Sequence, residues 1–537
     1  MQKSMRNRQH ERGASLILLM VMMPLMLIPL VGLAIDGTRV FIVQAKLSSA
    51  VDGAALGAGR LLGTQANTTE IANEFLTTNF PTGIWGTTNL TPTITATDDL
   101  GTHTISISAT ARVPLTFMRI FGQQTAVAAA SATATRRDTR IVLVLDRSGS
   151  MDTTDPVSHQ NVFTVLKGAA KTFVGRFNPG HDQLGLVVFA GSAIVAYPVE
   201  TAPYSTDPTG TGGPDTSFAT SSTAGPVYTQ INALNASGGT GMTEALTLAY
   251  IELQKAHYRD TRGGNVDNAM NAIVLFTDGV PNSIAVSPND NSNLPNSNVL
   301  LPSGTHSYQS PCKYNPATSD ASTHMRGYMV ALGDPHAGWG DDLGLYLLSA
   351  YDTGHTLTWW LGHASSDQTT SNPSNAITSC RGLNYGGDDD ISTDTDLAKI
   401  PPQDIYGNST GGTAYQWGRL SYNGGTPYAQ NTTTFDSTNL DDGYHLAAAA
   451  WNATDYIGNV IRAQTAMNPI RIYTIGYDGD GGTDVALLQK LANRASDTNP
   501  APVVTSQPVG DYRLCHTATD INGAFADIAS GLLRLAQ

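Results

Sequence analysis

The chain has 537 residues, room for roughly two to four domains at ~100–200 residues each. Hydrophobic residues make up 41% and charged residues 14%, which supports a sizeable core and excludes general disorder. The formal charge of −14 excludes a nucleic-acid-binding surface, which needs clustered Lys and Arg, and suits contact with metals or other proteins.

Residues 14–35, ASLILLMVMMPLMLIPLVGLAI, carry no charge over 22 positions. A bilayer needs ~20 apolar residues in a helix, so this segment is predicted to span one, with Pro24 and Pro29 as tolerated kinks. Before it stand Lys3, Arg6, Arg8 and Arg12 against Glu11, and 61–110 contains neither Lys nor Arg. The positive-inside bias places the N-terminal tail 1–13 in the cytoplasm and the bulk of the chain outside. Two processed alternatives stand beside a retained anchor. One is a signal peptide cut near Ala34, although the apolar stretch exceeds the usual ~7–15-residue core of such peptides. The other is a prepilin cut after Gly13, which expects Glu at the fifth position after the cut, where this chain has Leu18.

The segment GTRVFIVQAKLSSAVDGAALGAGRLL (37–62) continues as an Ala- and Leu-rich helix. Its Arg-Gly start, uninterrupted apolar helix, Asp at the outer end and AVDGAALGAG stretch are similar to the N-terminal region of TadG-like proteins of the tight-adherence (Flp) pilus-assembly system. The resemblance covers about 11–62 and implies a role in assembling or anchoring such a pilus or secretion apparatus. The organisation read here is a tail (1–13), a transmembrane and continuing helix (14–62), a small β-rich stalk (63–138) and a larger domain (139–537).

Within the stalk, 64–90 reads as loop with a short helix. TPTITATDD (91–99) and HTISISATARV (103–113) alternate in polarity around a DLGT turn, a hairpin signature, and 125–135 supplies a third strand. From Arg140 strands alternate with helices. IVLVLD (141–146), 183–191, 193–199, NAIVLFTDG (271–279) and 470–478 read as strands; 161–177, 243–256, 445–464, 484–495 and 521–536 read as helices. That alternation predicts an α/β fold with a doubly wound, mostly parallel sheet, whose ligands sit beyond the carboxyl ends of the strands. The interval 280–441 does not alternate and is predicted to be a loop-rich inserted subdomain on the rim of the ligand face, too long to lack a fold of its own. Cys312 and Cys380 could pair outside the cytoplasm, leaving Cys515 free; the alternative is three unpaired thiols.

Three elements fall at predicted strand ends: Asp146-Arg147-Ser148-Gly149-Ser150, Gly238-Gly239-Thr240 and Asp278-Gly279. Together they offer two carboxylates and three hydroxyls, an all-oxygen set suited to a hard cation such as Mg²⁺. Hydroxyl ligands are neutral, so such a site keeps positive charge to attract an outside carboxylate. DRSGSM, GGT and FTDG resemble the metal-ion-dependent adhesion site (MIDAS) of von Willebrand factor A-type (vWA) domains, over roughly 139–280 and 442–537. The resemblance implies a Rossmann-like fold and ligand hydroxyls from Ser148, Ser150 and Thr240. It also implies binding by Asp146 and Asp278, directly or through water, of Mg²⁺ or another divalent cation such as Mn²⁺ or Ca²⁺. It further implies a protein partner that presents an acidic residue. DGDGGTD (478–484) and DDDISTDTD (388–396) are lesser calcium candidates beside a reading as solvated acidic turns. No GxSxG, GxxxxGK[ST] or HExxH occurs, and the residue two after Asp146 is Ser148 where an aspartyl-phosphate hydrolase needs Asp. The reading is a non-enzymatic, membrane-anchored binding and assembly protein of a bacterial inner membrane, with a surface adhesin unrelated to pili as the alternative and a hydrolase behind it.

Overall fold

The computed structural model describes residues 5–59, 67–99, 101–199, 217–236, 238–261, 264, 266–286, 288–289, 299–300, 327–334, 338–347, 383–385, 403–411, 443–479, 482–494 and 503–536. Two compact units divide between Arg137 and Asp138.

The first unit opens on helix α1 (Met5–Gly59), 55 residues long and so about 80 Å at 1.5 Å per residue. Its two halves differ. Met20, Met26, Leu27, Leu30, Leu33 and Ile35 are exposed among the described residues, an apolar surface. By length and composition the helix can cross a membrane. From Val43 onward one stripe turns inward: Val43, Leu47, Ala50, Val51, Ala54, Ala55 and Ala58 are buried, at the three- and four-residue spacing of a helix face. The stripe packs on α2 (Thr68–Asn79) and on an antiparallel sheet of β1 (Thr88–Asp99), β2 (Thr102–Pro114) and β3 (Thr125–Arg137). In β2 the buried residues Ile105, Ile107, Ala109, Ala111 and Val113 alternate with side chains on the other face, as a half-covered strand requires. The alanine stripe of α1 is buried against both α2 and this sheet. At the C-terminal end of the apolar stretch, Asp36 accepts the backbone N–H groups of Thr116 (2.8 Å), Phe117 (2.9 Å) and Met118 (2.8 Å), clasping the β2–β3 connection to the helix.

The second unit runs in chain order through β4 (Thr139–Asp146), α3 (Val162–Val174), β5 (Gln183–Phe189), β6 (Ala193–Tyr197), α4 (Pro226–Ala233), α5 (Met242–Thr261) and β7 (Met270–Thr277). The interval that follows holds β8 (Ser283–Val286), the two-residue pair β9 (Pro288–Asn289) and β10 (Val299–Leu300), β11 (Gly327–Asp334), β12 (Gly338–Leu347) and β13 (Leu383–Tyr385). The chain closes with α6 (Gly443–Ala463), β14 (Ile470–Tyr477), α7 (Val485–Leu491), β15 (Tyr512–Cys515) and α8 (Ala518–Leu535). The central sheet has the order β15-β14-β7-β4-β5-β6. All its neighbours are parallel except the β5–β6 pair. Every residue of β4 is buried, as expected of a strand covered on both faces. Its alternate residues divide the core: Ile141, Leu143 and Leu145 pack with α3, α4 and α8, while Val142 and Val144 pack with α5, α6 and α7.

Two elements have no counterpart in the sequence reading, α4 and the edge strand β15. Each is short, eight and four residues, and β15 (YRLC) carries no clean alternation. The interval carries a sheet of its own, antiparallel in the order β13-β12-β11-β8. A second piece, 403–411, docks on β8 and on the helices of the central fold: Ile405 N–H donates to Ala285 O (3.1 Å), Tyr406 Oη to Glu244 Oε1 of α5 (2.7 Å), and Asn452 Nδ2 of α6 to Thr410 O (3.1 Å). Cys312, Cys380 and DDDISTDTD lie outside the described residues. Cys515 is buried and free, and burial pushes its thiol up to about 12, an inert state.

Candidate metal centre

The site forms where β4 and β7 end side by side. Leu145 lies opposite Phe276 in the parallel ladder, so the residues that follow, Asp146 and Thr277-Asp278, leave the sheet together. After β4 the chain turns through Ser148 and a single 3-10 turn, Gly149–Met151. Gly149 N–H donates to Gly238 O (2.9 Å), which docks this turn against the Gly238-Gly239-Thr240 segment. Gly238 has φ +91°, a left-handed conformation that a side chain would strain.

The oxygen atoms meet as the residue types suggest. Ser148 Oγ and Ser150 Oγ are 3.0 Å apart, Ser150 Oγ is 3.0 Å from Asp278 Oδ1, and Ser148 Oγ is 3.4 Å from the same oxygen. Two ligands on neighbouring corners of an octahedron with bonds of ~2.0–2.1 Å stand about 3 Å apart, so this trio has the spacing of one face of such a centre. Thr240 stands beside Gly279, the residue after Asp278: its Oγ1 lies 3.3 Å from where a Cβ on Gly279 would stand. Asp146 sits one layer deeper. Its Oδ1 accepts Ser148 N–H (2.7 Å) and its Oδ2 accepts the Thr277 hydroxyl (2.5 Å). Asp146, Ser148, Thr240 and Asp278 are buried, whereas Ser150 is exposed at the mouth.

Burial pushes the Asp146 carboxyl up to about 6, against the donors Thr277 and Ser148 and the neighbouring charge of Arg147, which pull it down. A cation nearby would favour the ionised form further. Arg147 is itself buried, its guanidinium lowered to about 10 by desolvation, with Nη1 donating to Asn235 O (2.5 Å).

Three supporting residues were not picked out by sequence. Thr277 precedes Asp278 and orients Asp146. Asn282 accepts Thr240 N–H through its side chain (2.6 Å) and Ala331 N–H through its backbone (2.8 Å), joining the Thr240 loop to β11. Tyr328 of β11 packs so closely over Gly191 that a Cβ there would come within 2.2 Å of its ring. Asn282 lies four residues after Asp278, a spacing that could have flagged it; Tyr328 has no local signal, because only the antiparallel pairing of β8 with β11 brings it over. Asp155, on the loop leaving the site, is fully buried and accepts Ser158 N–H (2.6 Å) and Tyr477 Oη (3.1 Å). Of the lesser calcium candidate, Asp478 faces His516 Nδ1 at 2.8 Å. Asp484 caps α7 through Leu487 N–H and accepts Trp451 Nε1–H (2.7 Å), a structural employment.

Comparison with known proteins identifies two regions. Residues 141–280 match the von Willebrand factor type A domain, and residues 13–61 match the TadE/G-like Flp pilus-assembly family. The chain therefore carries a vWA domain on a mixed, mostly parallel sheet and a TadE/G-like N-terminal region. No match is found among curated proteins. Among solved structures the chain is similar to the PilB minor pilin from Streptococcus sanguinis, at 14% identity and TM-score 0.31, covering 84% of this chain and 79% of that one. It is also similar to the vWF domain of the type V pili tip protein Mfa5 from Porphyromonas gingivalis, at 14% identity and TM-score 0.29, covering 75% and 97%. A third is the pilus adhesin SpaC from Lactobacillus rhamnosus GG, at 12% identity and TM-score 0.31, covering 83% and 34%.

Proposed function

We propose that this chain is a single-pass envelope protein whose vWA domain grips an acidic group on a protein partner through a divalent cation, in the assembly or anchoring of a Flp-type pilus. The observation that supports it most is the ~3 Å spacing of Ser148 Oγ, Ser150 Oγ and Asp278 Oδ1. Asp146, Ser148, Ser150, Thr240 and Asp278 would hold Mg²⁺, or Mn²⁺ or Ca²⁺ in its place; bound there, the cation supplies positive charge to a carboxylate from outside. The protein residues do the rest. Thr277 and Ser148 N–H fix the deep carboxylate of Asp146, Asn282 fixes the Thr240 loop, and exposed Ser150 marks the open side from which a partner approaches. The pilus assignment rests on the TadE/G-like region, and the N-in, C-out orientation in an inner membrane rests on the basic tail before residue 14.

Asp278→Ala tests the reading. It removes one carboxylate at a strand end without opening the core. Calorimetric titration with Mg²⁺ should lose its binding heat, and a partner captured from the envelope with Mg²⁺ should be lost as it is with chelator. A variant that binds cation and partner as the parent does overturns the proposal. Protease added to spheroplasts should digest everything beyond about residue 60 under the same topology.

A further inference from the structure

The connection between β2 and β3 is built in a way that sheet packing alone does not call for. Leu115 N–H donates to Gln124 O (3.0 Å), closing a loop whose tip is a 3-10 turn, Met118–Phe121. The tip presents Ile120, 76% exposed, and Phe121, 59% exposed, with Arg119 beside them. Outside α1, the large apolar side chains exposed among the described residues of this unit are Phe75, Trp85, Ile120, Phe121 and Val127. Phe75 lies at the far end, over Gly57. The other four gather at the opposite end of the sheet.

That end is held against the helix at a defined height. The Asp36 clasp takes three successive backbone N–H groups, Thr116 to Met118. Just below it, Phe117 lies on Gly32 so closely that a Cβ on Gly32 would stand 2.6 Å from Phe117 Cβ. Gly32 is inside the uncharged stretch 14–35, three residues or about 4.5 Å short of its outer end. Above the clasp, Arg39 Nη2 donates to Trp85 O (2.5 Å) and Nη1 to Thr116 Oγ1 (3.4 Å), placing a Trp that is 54% exposed one helical turn farther out. Outward along α1, the level of exposed Leu33 and Ile35 comes first, where Phe117 lies on Gly32, then Asp36 with the loop that carries Ile120 and Phe121, then Arg39 and Trp85. That is the order of a bilayer boundary: acyl chains, then amphipathic rings and basic heads at the headgroups.

We propose that the 115–124 loop is a membrane-surface foot, with Ile120 and Phe121 inserted at the outer lipid boundary and Asp36 as the clasp that holds it at that depth. The occupant of the apolar tip is lipid, because the tip continues the lipid-facing surface of the helix it is tied to. The foot fixes the helix against rotation and in-plane rocking, which a lone helix permits. This rests on the reading of 14–35 as a membrane span.

The test uses the full chain in vesicles of phosphatidylethanolamine and phosphatidylglycerol, with the photoreactive residue p-benzoylphenylalanine in place of Leu27, Phe121 or Thr133. Irradiation followed by mass spectrometry reads covalent lipid adducts. Adducts at Leu27 and Phe121, with none at Thr133 farther along the sheet, are expected. Adduct at Leu27 with none at Phe121 overturns the foot while the span stands; so does crosslinking of Phe121 to a second copy of the chain. No adduct at Leu27 removes the span itself, and the foot with it. Adding Asp36→Ala should lower the Phe121 adduct several-fold and leave that of Leu27 unchanged, with Asp36→Asn, which keeps one acceptor, in between. An unchanged Phe121 adduct in Asp36→Ala overturns the clasp.

Discussion

The two ends of strand β4 carry buried charge in opposite ways. At its start, Arg140 is fully buried and donates to Asp267, Asp260, Gln183 Oε1 (3.1 Å) and Asn271 Oδ1 (3.2 Å). Asp267 also faces His257 Nδ1 at 2.8 Å, Arg259 pairs with Asp260 at 2.7 Å, and the Asp267 carboxyl is held below its usual range by Arg140 although burial alone would raise it. At the far end of this buried strand, Asp146 meets a backbone N–H and a hydroxyl, and Asp278 meets two serine hydroxyls. Acids whose charge is met by cations of the chain hold the fold. Asp146 is met mostly by neutral donors, and burial outweighs them and the charge of Arg147 to raise it to about 6; under the proposed function a cation from outside would restore its ionised form.

Substitution should expose that difference. The largest effect is expected for Arg140→Ala, which removes the fully buried cation shared by Asp260 and Asp267, leaving them only Arg259 and His257, and should lower unfolding free energy by ~3–5 kcal/mol in urea titration. Next comes Asp155→Asn. Burial raises this carboxyl, but Ser158, the Ala518 backbone N–H and Tyr477 overcome it and bring it down to about 2. A depressed folded-state value means stabilisation that is present above the ordinary carboxyl value of 3.8 and lost as pH falls toward about 2. The parent should thus lose stability over that window more steeply than Asp155→Asn, as followed by circular dichroism at stepped pH; parallel curves would remove Asp155 from the acid limb. Asp278→Ala should change stability in chelator by no more than ~1 kcal/mol, because the Ser148 and Ser150 hydroxyls that face it are neutral, although it abolishes the Mg²⁺ heat. If it destabilises as Arg140→Ala does, the end of β4 is structural and the contrast fails. Thr240→Ala should be smallest, weakening Mg²⁺ binding while leaving the melting temperature nearly unchanged.

Much of this was legible in the sequence because the signals are local. The wholly apolar runs of β4 and β7 end in their acids, so parallel pairing sets Asp146 and Asp278 side by side without any long-range information. The helices read over 161–177 and 484–495 begin at Asn161 and Asp484, whose side chains cap α3 and α7 in the structure. What stayed hidden depends on pairing across distance. The helix stripe from Val43 to Ala58 reads as a continuation of the membrane span, since alanines serve both settings; its partner sheet begins only at Thr88, well beyond the end of the helix. Tyr328 reaches Gly191 only because β11 pairs with β8. Arg140 reads as a mere strand flank, and its acids arrive from α5 and the turn after it.

The position of β4 in the chain has a mechanical consequence. β3 ends at Arg137 and β4 begins at Thr139, so a single residue separates the anchored unit from the strand that delivers Asp146. Under the proposed function, a pull between the membrane and a partner held at Asp278 would enter at Thr139 on β4 and leave from the end of β7. It loads the seven paired positions between those two strands together in shear instead of unzipping them one by one. Forced unfolding is governed by the unfolding barrier and not by equilibrium stability. A tether loaded along its central strand is therefore suited to tension, whatever its resting free energy.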